Sequence, residues 1–162
     1  MKCCSQFPLS GRISSPFTRQ IVLGYYDGAT EGIVKCSVCM KSWYYRMIAW
    51  DSRQDNRLFV LRLLPERSFE SLEQFLQNVQ PNRGQLGFPW SFESESEKIA
   101  TDDFVARMIK AASTPAWIVV GKSIISPLRI CAVTQEILDA ILTAESGSTY
   151  ENIEKWYEFF RD

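Results

Sequence analysis

Four short apolar segments follow one another between residues 18 and 64, and they constrain the fold of this chain more than any other feature. Apolar side chains recur at every second position along parts of them, a pattern typical of β-strands. The dipeptide Asp27-Gly28 follows the first segment and is a strong hairpin signal. Because the intervening loops are short, we expect successive strands to pair antiparallel. We predict strands at residues 18–26, 33–38, 43–50 and 58–64, with Val34, Cys36 and Val38 on one face of the second.

Helical periodicity marks four segments of the later sequence. Apolar residues recur every three or four positions after Ser68, and Pro81 is expected to end that helix. Thr101 is predicted to cap a second helix, because two aspartates follow it in the first turn. Thr134 is predicted to cap a third helix. Ser148 begins a capping-box pattern that predicts a fourth.

Two further strands are expected between the second and third helices. Residues 116–121 contain a continuous run of β-branched side chains, and residues 128–133 follow a Ser-Pro turn. The fold class we predict is α+β, with an antiparallel sheet of four to six strands and about four helices packed mainly on one face. Residues 1–17 are expected to form an irregular lead-in. Residues 18–162 are expected to form a single domain with a long irregular loop at 81–100.

Composition excludes several classes of protein. The 162 residues carry 18 basic and 19 acidic side chains, so the net charge of −1 gives no electrostatic reason to expect a nucleic-acid partner. No apolar stretch approaches the roughly 20 residues that a membrane-spanning helix needs, and the first residues lack the apolar core of a secretory signal. We therefore expect a soluble, cytoplasmic protein without a membrane partner.

The complete absence of histidine limits the chemistry available to the chain. It excludes Ser-His and Cys-His nucleophilic pairs, metal motifs that contain histidine, and any imidazole proton shuttle. No phosphate-binding glycine motif is present. The sequence thus favours a protein that is not an enzyme, and it predicts no cofactor.

Cys36 and Cys39 form a C-x-x-C pair in a predicted turn, which is the most distinctive local motif. Such a turn can present two thiolates to zinc, but a tetrahedral site needs four ligands. Cys3, Cys4 or Cys131 would have to fold back to complete one. A redox role of the thioredoxin type is not favoured, because the pair does not begin a helix. We therefore predict no metal site and interpret the pair as small residues at a turn, with Cys36 and Cys39 as the candidate ligands if a metal is bound. The odd total of five cysteines, without a secretory signal, indicates reduced thiols.

Aromatic residues supply the candidate binding side chains. Strand residues could line a pocket if the sheet curls around a concave face. Aromatics in the 81–100 loop could contact a partner. Filling of the core by the same rings is the competing interpretation. The candidate binding residues are Trp43, Tyr45, Trp50, Phe88 and Trp90.

The spaced set Tyr26-Asp27-Gly28-Ala29-Thr30-Glu31-Gly32, Cys36-x-x-Cys39 and Trp50-Asp51 resembles an uncharacterised group of small bacterial proteins. The resemblance covers residues 25–51. In that group, proline tends to stand at the position of Ala29 and glycine at that of Met40. The resemblance implies a bacterial cytosolic origin and no assigned activity.

Three functional hypotheses follow from the sequence. The leading one is a non-enzymatic binding module that recognises a protein partner or forms a homo-oligomer. The second is a small-molecule-binding protein or an atypical enzyme that uses an aromatic pocket lined by the sheet. The third is a module held together by metal at the C-x-x-C turn.

Overall fold

The structure of the protein is a computed structural model that describes residues 3–4, 17–26, 29–51, 56–79, 95–112, 114, 116–122 and 129–143. Along the chain, four strands are followed by two helices, and two further strands are followed by a third helix. The elements are β1 (Phe17–Tyr26), β2 (Ala29–Cys36), β3 (Ser42–Asp51), β4 (Asn56–Leu63), α1 (Ser68–Val79), α2 (Glu95–Lys110), β5 (Trp117–Lys122), β6 (Arg129–Val133) and α3 (Gln135–Thr143).

The six strands form one antiparallel sheet in sequence order, β1-β2-β3-β4-β5-β6. Tyr26 pairs with Ala29, so two residues connect β1 to β2, as the Asp27-Gly28 signal predicts. At the other end of this hairpin, Phe17 pairs with Cys36. The chain that precedes β1 therefore reaches the sheet at the edge where β2 ends. The predicted α+β class and the antiparallel sheet are confirmed.

The helices pack on one face of the sheet. Residues from all three helices share a buried cluster with the side chains that one face of the sheet presents. Phe69, Leu72 and Leu76 repeat at helical spacing along α1 and are nearly inaccessible to solvent. Burial of three such side chains contributes roughly 5–8 kcal/mol. The cluster consists of Ile21, Leu23, Ile33, Tyr44, Val60, Leu64, Phe69, Leu72, Leu76, Val105, Trp117, Val119, Val133 and Leu138.

The opposite face of the sheet is apolar as well. It forms a second buried cluster that contains no residue of α1, α2 or α3. Cys4 belongs to it, although it lies far from the strands in sequence. The cluster consists of Cys4, Phe17, Val34, Cys36, Trp43, Tyr45, Met47, Phe59, Leu61 and Val120.

Polar contacts fix the start of α1 against β3. The backbone N–H of Phe69 donates to the Ser42 hydroxyl at 3.2 Å, and the Ser68 hydroxyl donates to the carbonyl of Pro65 at 2.7 Å. Lys35 of β2 forms an ion pair with Glu70. These contacts satisfy polar groups at the helix N-terminus and hold α1 near the end of β2.

Several boundaries differ from the sequence predictions, among them the start of β2, which lies at Ala29 and not at Ile33. Val38 lies in the turn after β2, not in the strand, and is exposed. Helix α2 begins at Glu95, so residues 95–100, predicted to be irregular, are helical. Thr101 is buried within that helix and donates its hydroxyl hydrogen bond to the Glu97 carbonyl, so it is not a cap. β1 begins at Phe17, the last residue of the predicted lead-in.

The predicted count of about four helices is not supported, because the described residues contain three. The fourth prediction, which begins at Ser148, lies outside them. The third helix agrees with its predicted cap: Thr134 Oγ1 accepts a hydrogen bond from the N–H of Ile137 at 3.2 Å. In the part of the chain that is described, no helix combines the length and apolar character needed to cross a membrane.

Candidate metal centre

A tight turn follows β2 and carries two of the five cysteines. Cys36 is the last residue of the strand, and Cys39 lies three residues later. The N–H of Met40 donates to the Cys36 carbonyl at 3.0 Å, and the N–H of Cys36 donates to the Lys41 carbonyl at 2.9 Å. Met40 adopts a left-handed backbone conformation with φ of 63°. This conformation favours glycine, and it lets the chain reverse while both sulfur atoms remain on the same side.

Cys3 and Cys4 bring two more sulfur atoms to this turn. Cys4 Sγ lies 3.5 Å from Cys39 Sγ, and Cys3 Sγ lies 3.9 Å from Cys36 Sγ. The sulfur atoms of Cys3 and Cys4 are 3.7 Å apart. All four sulfur atoms lie within 4.8 Å of one another. These distances are much longer than a disulfide bond of about 2.05 Å, and all four residues are free cysteines.

The sulfur separations match a tetrahedral metal site. A zinc–thiolate bond of about 2.3 Å places the corners of a tetrahedron about 3.8 Å apart. Three of the separations, 3.5, 3.7 and 3.9 Å, bracket this value. A small adjustment of the remaining separations would complete the tetrahedron. The cluster therefore has the size and donor set of a four-thiolate site for Zn²⁺ or iron.

Hydrogen-bond donors converge on the sulfur atoms from outside the cluster. The N–H of Val38 donates to Cys36 Sγ at 3.4 Å. The backbone N–H groups of Cys39 and Cys4 act on Cys36 so as to lower its pKa, and that of Lys41 acts in the same direction on Cys39. Such donors stabilise thiolate charge and orient the ligands of a metal.

The four thiols have different affinities for a proton. Burial raises the pKa of Cys36, but backbone hydrogen bonds from Cys39, Val38 and Cys4 outweigh it and lower the pKa to about 7. Burial and the hydrogen bond with Cys39 raise the pKa of Cys4, against a lowering contribution from the Trp43 side chain. Burial also raises the pKa of Cys39. Several negative charges cannot accumulate in so small a volume unless a cation compensates them.

The centre is partly buried. Cys4 and Cys36 are buried at 4% and 0% exposure, whereas Cys3 and Cys39 are partly accessible. Cys131 is the fifth cysteine and lies on β6, outside the four-sulfur group. Two ligands are thus enclosed by the core while two face the surface.

The candidate aromatic residues have different positions. Trp43 and Tyr45 are buried in the second cluster, with Tyr45 only 1% exposed and its hydroxyl accepting a hydrogen bond from Gln20 Nε2 at 2.9 Å. They pack within the core rather than line an open pocket. A surface depression on α2 is lined by Asp103, Ala106, Arg107 and Lys110, and neither ring takes part in it. The Trp50 side chain, Phe88 and Trp90 lie outside the described residues.

The sequence identifies Cys36 and Cys39 as a C-x-x-C pair, which we interpret from the sequence as small residues at a turn, and the structure brings two further cysteines to this pair. Cys3 and Cys4 complete the set. The signal that could have found them is the predicted hairpin, because antiparallel pairing brings the chain before β1 next to the residues after β2. The Phe17–Cys36 pair shows this proximity directly.

Comparison with known proteins identifies no relative. No protein-family model matches the chain, and neither the curated proteins nor the solved structures include a match to it.

Proposed function

We propose that this protein is a non-enzymatic binding module that a structural Zn²⁺ centre holds together. The observation that carries the proposal is the group of four cysteine sulfur atoms at tetrahedral separations. The four ligands come from two segments that are distant in sequence. A metal bound there would fasten residues 3–4 to the turn between β2 and β3.

The donor set favours a structural role over a catalytic one. Catalytic zinc sites keep a coordination position open for water or substrate, whereas structural sites are closed by four protein ligands. Here four thiolates would close the coordination sphere. Binding of the metal would therefore contribute free energy to the folded state instead of activating a reactant.

Metal content is the direct test. The full chain would be purified under reducing conditions and its zinc and iron measured by mass spectrometry of the elements. We expect one zinc ion per chain. Replacement by Co²⁺ should give the visible bands of tetrahedral cobalt and a thiolate-to-cobalt charge-transfer band in the near ultraviolet.

Matched variants separate the centre from other thiols. Cys4→Ser and Cys39→Ser should each weaken metal binding strongly, whereas Cys131→Ser should bind one ion like the parent chain. A parent chain that contains no metal and gives no tetrahedral cobalt spectrum would refute the metal centre. A Cys131→Ser variant that loses the metal would show that a different set of thiols binds it.

The surface beside the centre supports a binding role. Among the described residues, four large apolar side chains are strongly exposed: Val38, Met40, Ile99 and Ile130. Val38 is 46% exposed and Met40 58% exposed, and these two flank Cys39 in the turn. A metal-braced turn would present them in one fixed arrangement, which lowers the entropy lost on binding.

Self-association offers the first test of this role. Sedimentation velocity over a range of protein concentrations would compare the parent chain with a Val38→Ser, Met40→Ser double variant. We expect association in the parent and its weakening in the variant, with metal content unchanged. Association of equal strength in both proteins would show that this turn is not the contact surface.

The five free cysteines bear on the compartment. Unpaired thiols within sulfur–sulfur distances of 3.5–3.9 Å persist where the surroundings are reducing. We therefore propose that the protein functions in the cytoplasm, where thiolates remain available to a metal.

A further inference from the structure

The four sulfur atoms form two close contacts that join the N-terminal residues to the turn. Cys4 Sγ and Cys39 Sγ are 3.5 Å apart, the shortest sulfur–sulfur distance in the cluster that the structure gives. Cys3 Sγ and Cys36 Sγ are 3.9 Å apart. Each N-terminal cysteine thus has a partner 33 or 35 residues away in sequence. The same two segments that a metal would fasten are therefore close enough for covalent linkage.

One competing pairing, between the adjacent Cys3 and Cys4, is less favourable. The sulfur atoms of Cys3 and Cys4 are 3.7 Å apart, but the residues are adjacent. A disulfide between adjacent residues closes a small ring that distorts the intervening planar peptide. By contrast, Cys4–Cys39 combines a separation of 3.5 Å with no such constraint.

Access to solvent decides where an oxidant acts first. Cys39 and Cys3 are partly exposed, whereas their neighbours Cys4 and Cys36 are buried. Oxidants react with accessible thiolates, and a neighbouring thiol then resolves the product as a disulfide. Within the closer pair, Cys4 and Cys39 at 3.5 Å, Cys39 has the position of the first reacting residue and Cys4 that of the resolving one.

We propose, on the basis of the metal centre proposed above, that hydrogen peroxide converts it into a Cys4–Cys39 disulfide and releases the metal. In the first step the Cys39 thiolate attacks one peroxide oxygen, the O–O bond breaks, and the products are Cys39 sulfenic acid and hydroxide. In the second step the Cys4 thiolate attacks the sulfenic sulfur, the S–S bond forms, and a second hydroxide leaves. The two sulfur atoms together lose two electrons, and the peroxide gains them.

Loss of two thiolates leaves Cys3 and Cys36 as the remaining ligands, too few to retain zinc in a closed site. The N-terminal residues nevertheless stay joined to the β2–β3 turn through the new bond. The four cysteines would thus cross-link the two segments in two ways, through a metal ion under reducing conditions and through a disulfide under peroxide. A dithiol reductant restores the thiolates, and added zinc restores the first form.

Tryptic mapping distinguishes a disulfide between the two segments from one within a segment. Trypsin cleavage after Lys2, Arg12, Lys35 and Lys41 places Cys3 and Cys4 in one peptide and Cys36 and Cys39 in another. A disulfide between the two segments joins these peptides. A disulfide within either segment leaves them separate, with a lower mass for one of them.

The experiment uses the full chain with Cys131→Ser, loaded with zinc and treated with hydrogen peroxide at stoichiometric amounts. Zinc release would be followed with a metal-sensitive dye, remaining thiols would be alkylated, and the peptides would be mapped without reduction. We expect one zinc ion released per cross-link formed. Cys3→Ser should retain the cross-link, whereas Cys39→Ser should lose most of it.

The outcomes distinguish this proposal from the metal centre itself. Zinc retained after peroxide treatment, or a Cys36–Cys39 disulfide in place of the cross-link, would overturn the peroxide response while leaving the metal centre intact. A cross-link that forms as readily in Cys39→Ser would overturn the assignment of the pair. A chain that never binds zinc would instead refute the proposed function, whatever its disulfides.

Discussion

Removal of the metal is expected to destabilise the fold by an amount that follows from where the ligands lie. A metal bound to the four cysteines would link Cys4 to Cys36 and so close a loop of about 33 residues. In the chain-entropy description of a cross-link, such a loop stabilises the folded state by about 3.7 kcal/mol at 25 °C. For a domain of this size, each 1 kcal/mol shifts the unfolding temperature by about 2–4 °C. We expect a chelator to lower the unfolding temperature by roughly 7–15 °C.

The assay is thermal unfolding followed by near-ultraviolet circular dichroism, under reducing conditions, with zinc or with a strong zinc chelator. A Cys3→Ser, Cys4→Ser double variant supplies the matched control, because it retains the C-x-x-C pair without the long-range link. It should unfold near the temperature of the chelated parent and respond little to chelator. A parent chain whose unfolding temperature is the same with zinc and with chelator would refute the cross-link argument.

Three other predictions test the fold around the centre. Met40→Gly should raise the free energy of unfolding by about 0.5–1 kcal/mol in urea titrations, because it relieves the left-handed strain, whereas Met40→Ala should give no comparable gain. Gly32→Ala should lower it by about 3 kcal/mol, because the added Cβ would lie 2.3 Å from the Ile21 carbonyl oxygen; an unchanged urea midpoint would contradict this contact. Burial and the neighbouring Glu31 raise the pKa of Tyr44. The folded chain therefore keeps a proton that the unfolded chain loses above about pH 10, and stability should fall by about 1.4 kcal/mol per pH unit there. Tyr44→Phe should remove that part of the slope in urea titrations at pH 9–11.

The hairpins and helices were predictable because their signals are local. Asp27-Gly28 marks the first hairpin, and Phe69, Leu72 and Leu76 mark the buried side of α1 at helical spacing. The sequence prediction sets the start of α2 at Thr101, which is too late, because the first turn from Glu95 is polar and has the composition of a loop. Thr101 lies inside this helix, and its hydroxyl donates a hydrogen bond to the Glu97 carbonyl of the preceding turn. Sequence alone does not distinguish such a threonine from one that caps a helix.

The four-cysteine cluster was only half predictable, for a physical reason. Cys36 and Cys39 form a motif because one tight turn supplies both sulfur atoms. Cys3 and Cys4 reach them through tertiary structure, and no local pattern encodes that approach. The antiparallel register of β1 with β2 provides the missing link, since it sets Phe17 against Cys36 and returns the chain to the turn. The predicted pairing of β1 with β2, considered before the cysteine motif, points to Cys3 and Cys4 as the second pair of candidate ligands.

The order of the strands also bears on how the chain could acquire its metal during synthesis. Every neighbour in the sheet is a neighbour in sequence, so each new strand can add to an edge that already exists. All four cysteines of the cluster precede β3 in the sequence, so they leave the ribosome before β3, β4 and every described helix. Zinc could then bind to the first hairpin and the turn that follows it, and stabilise an edge on which β3 and later strands assemble.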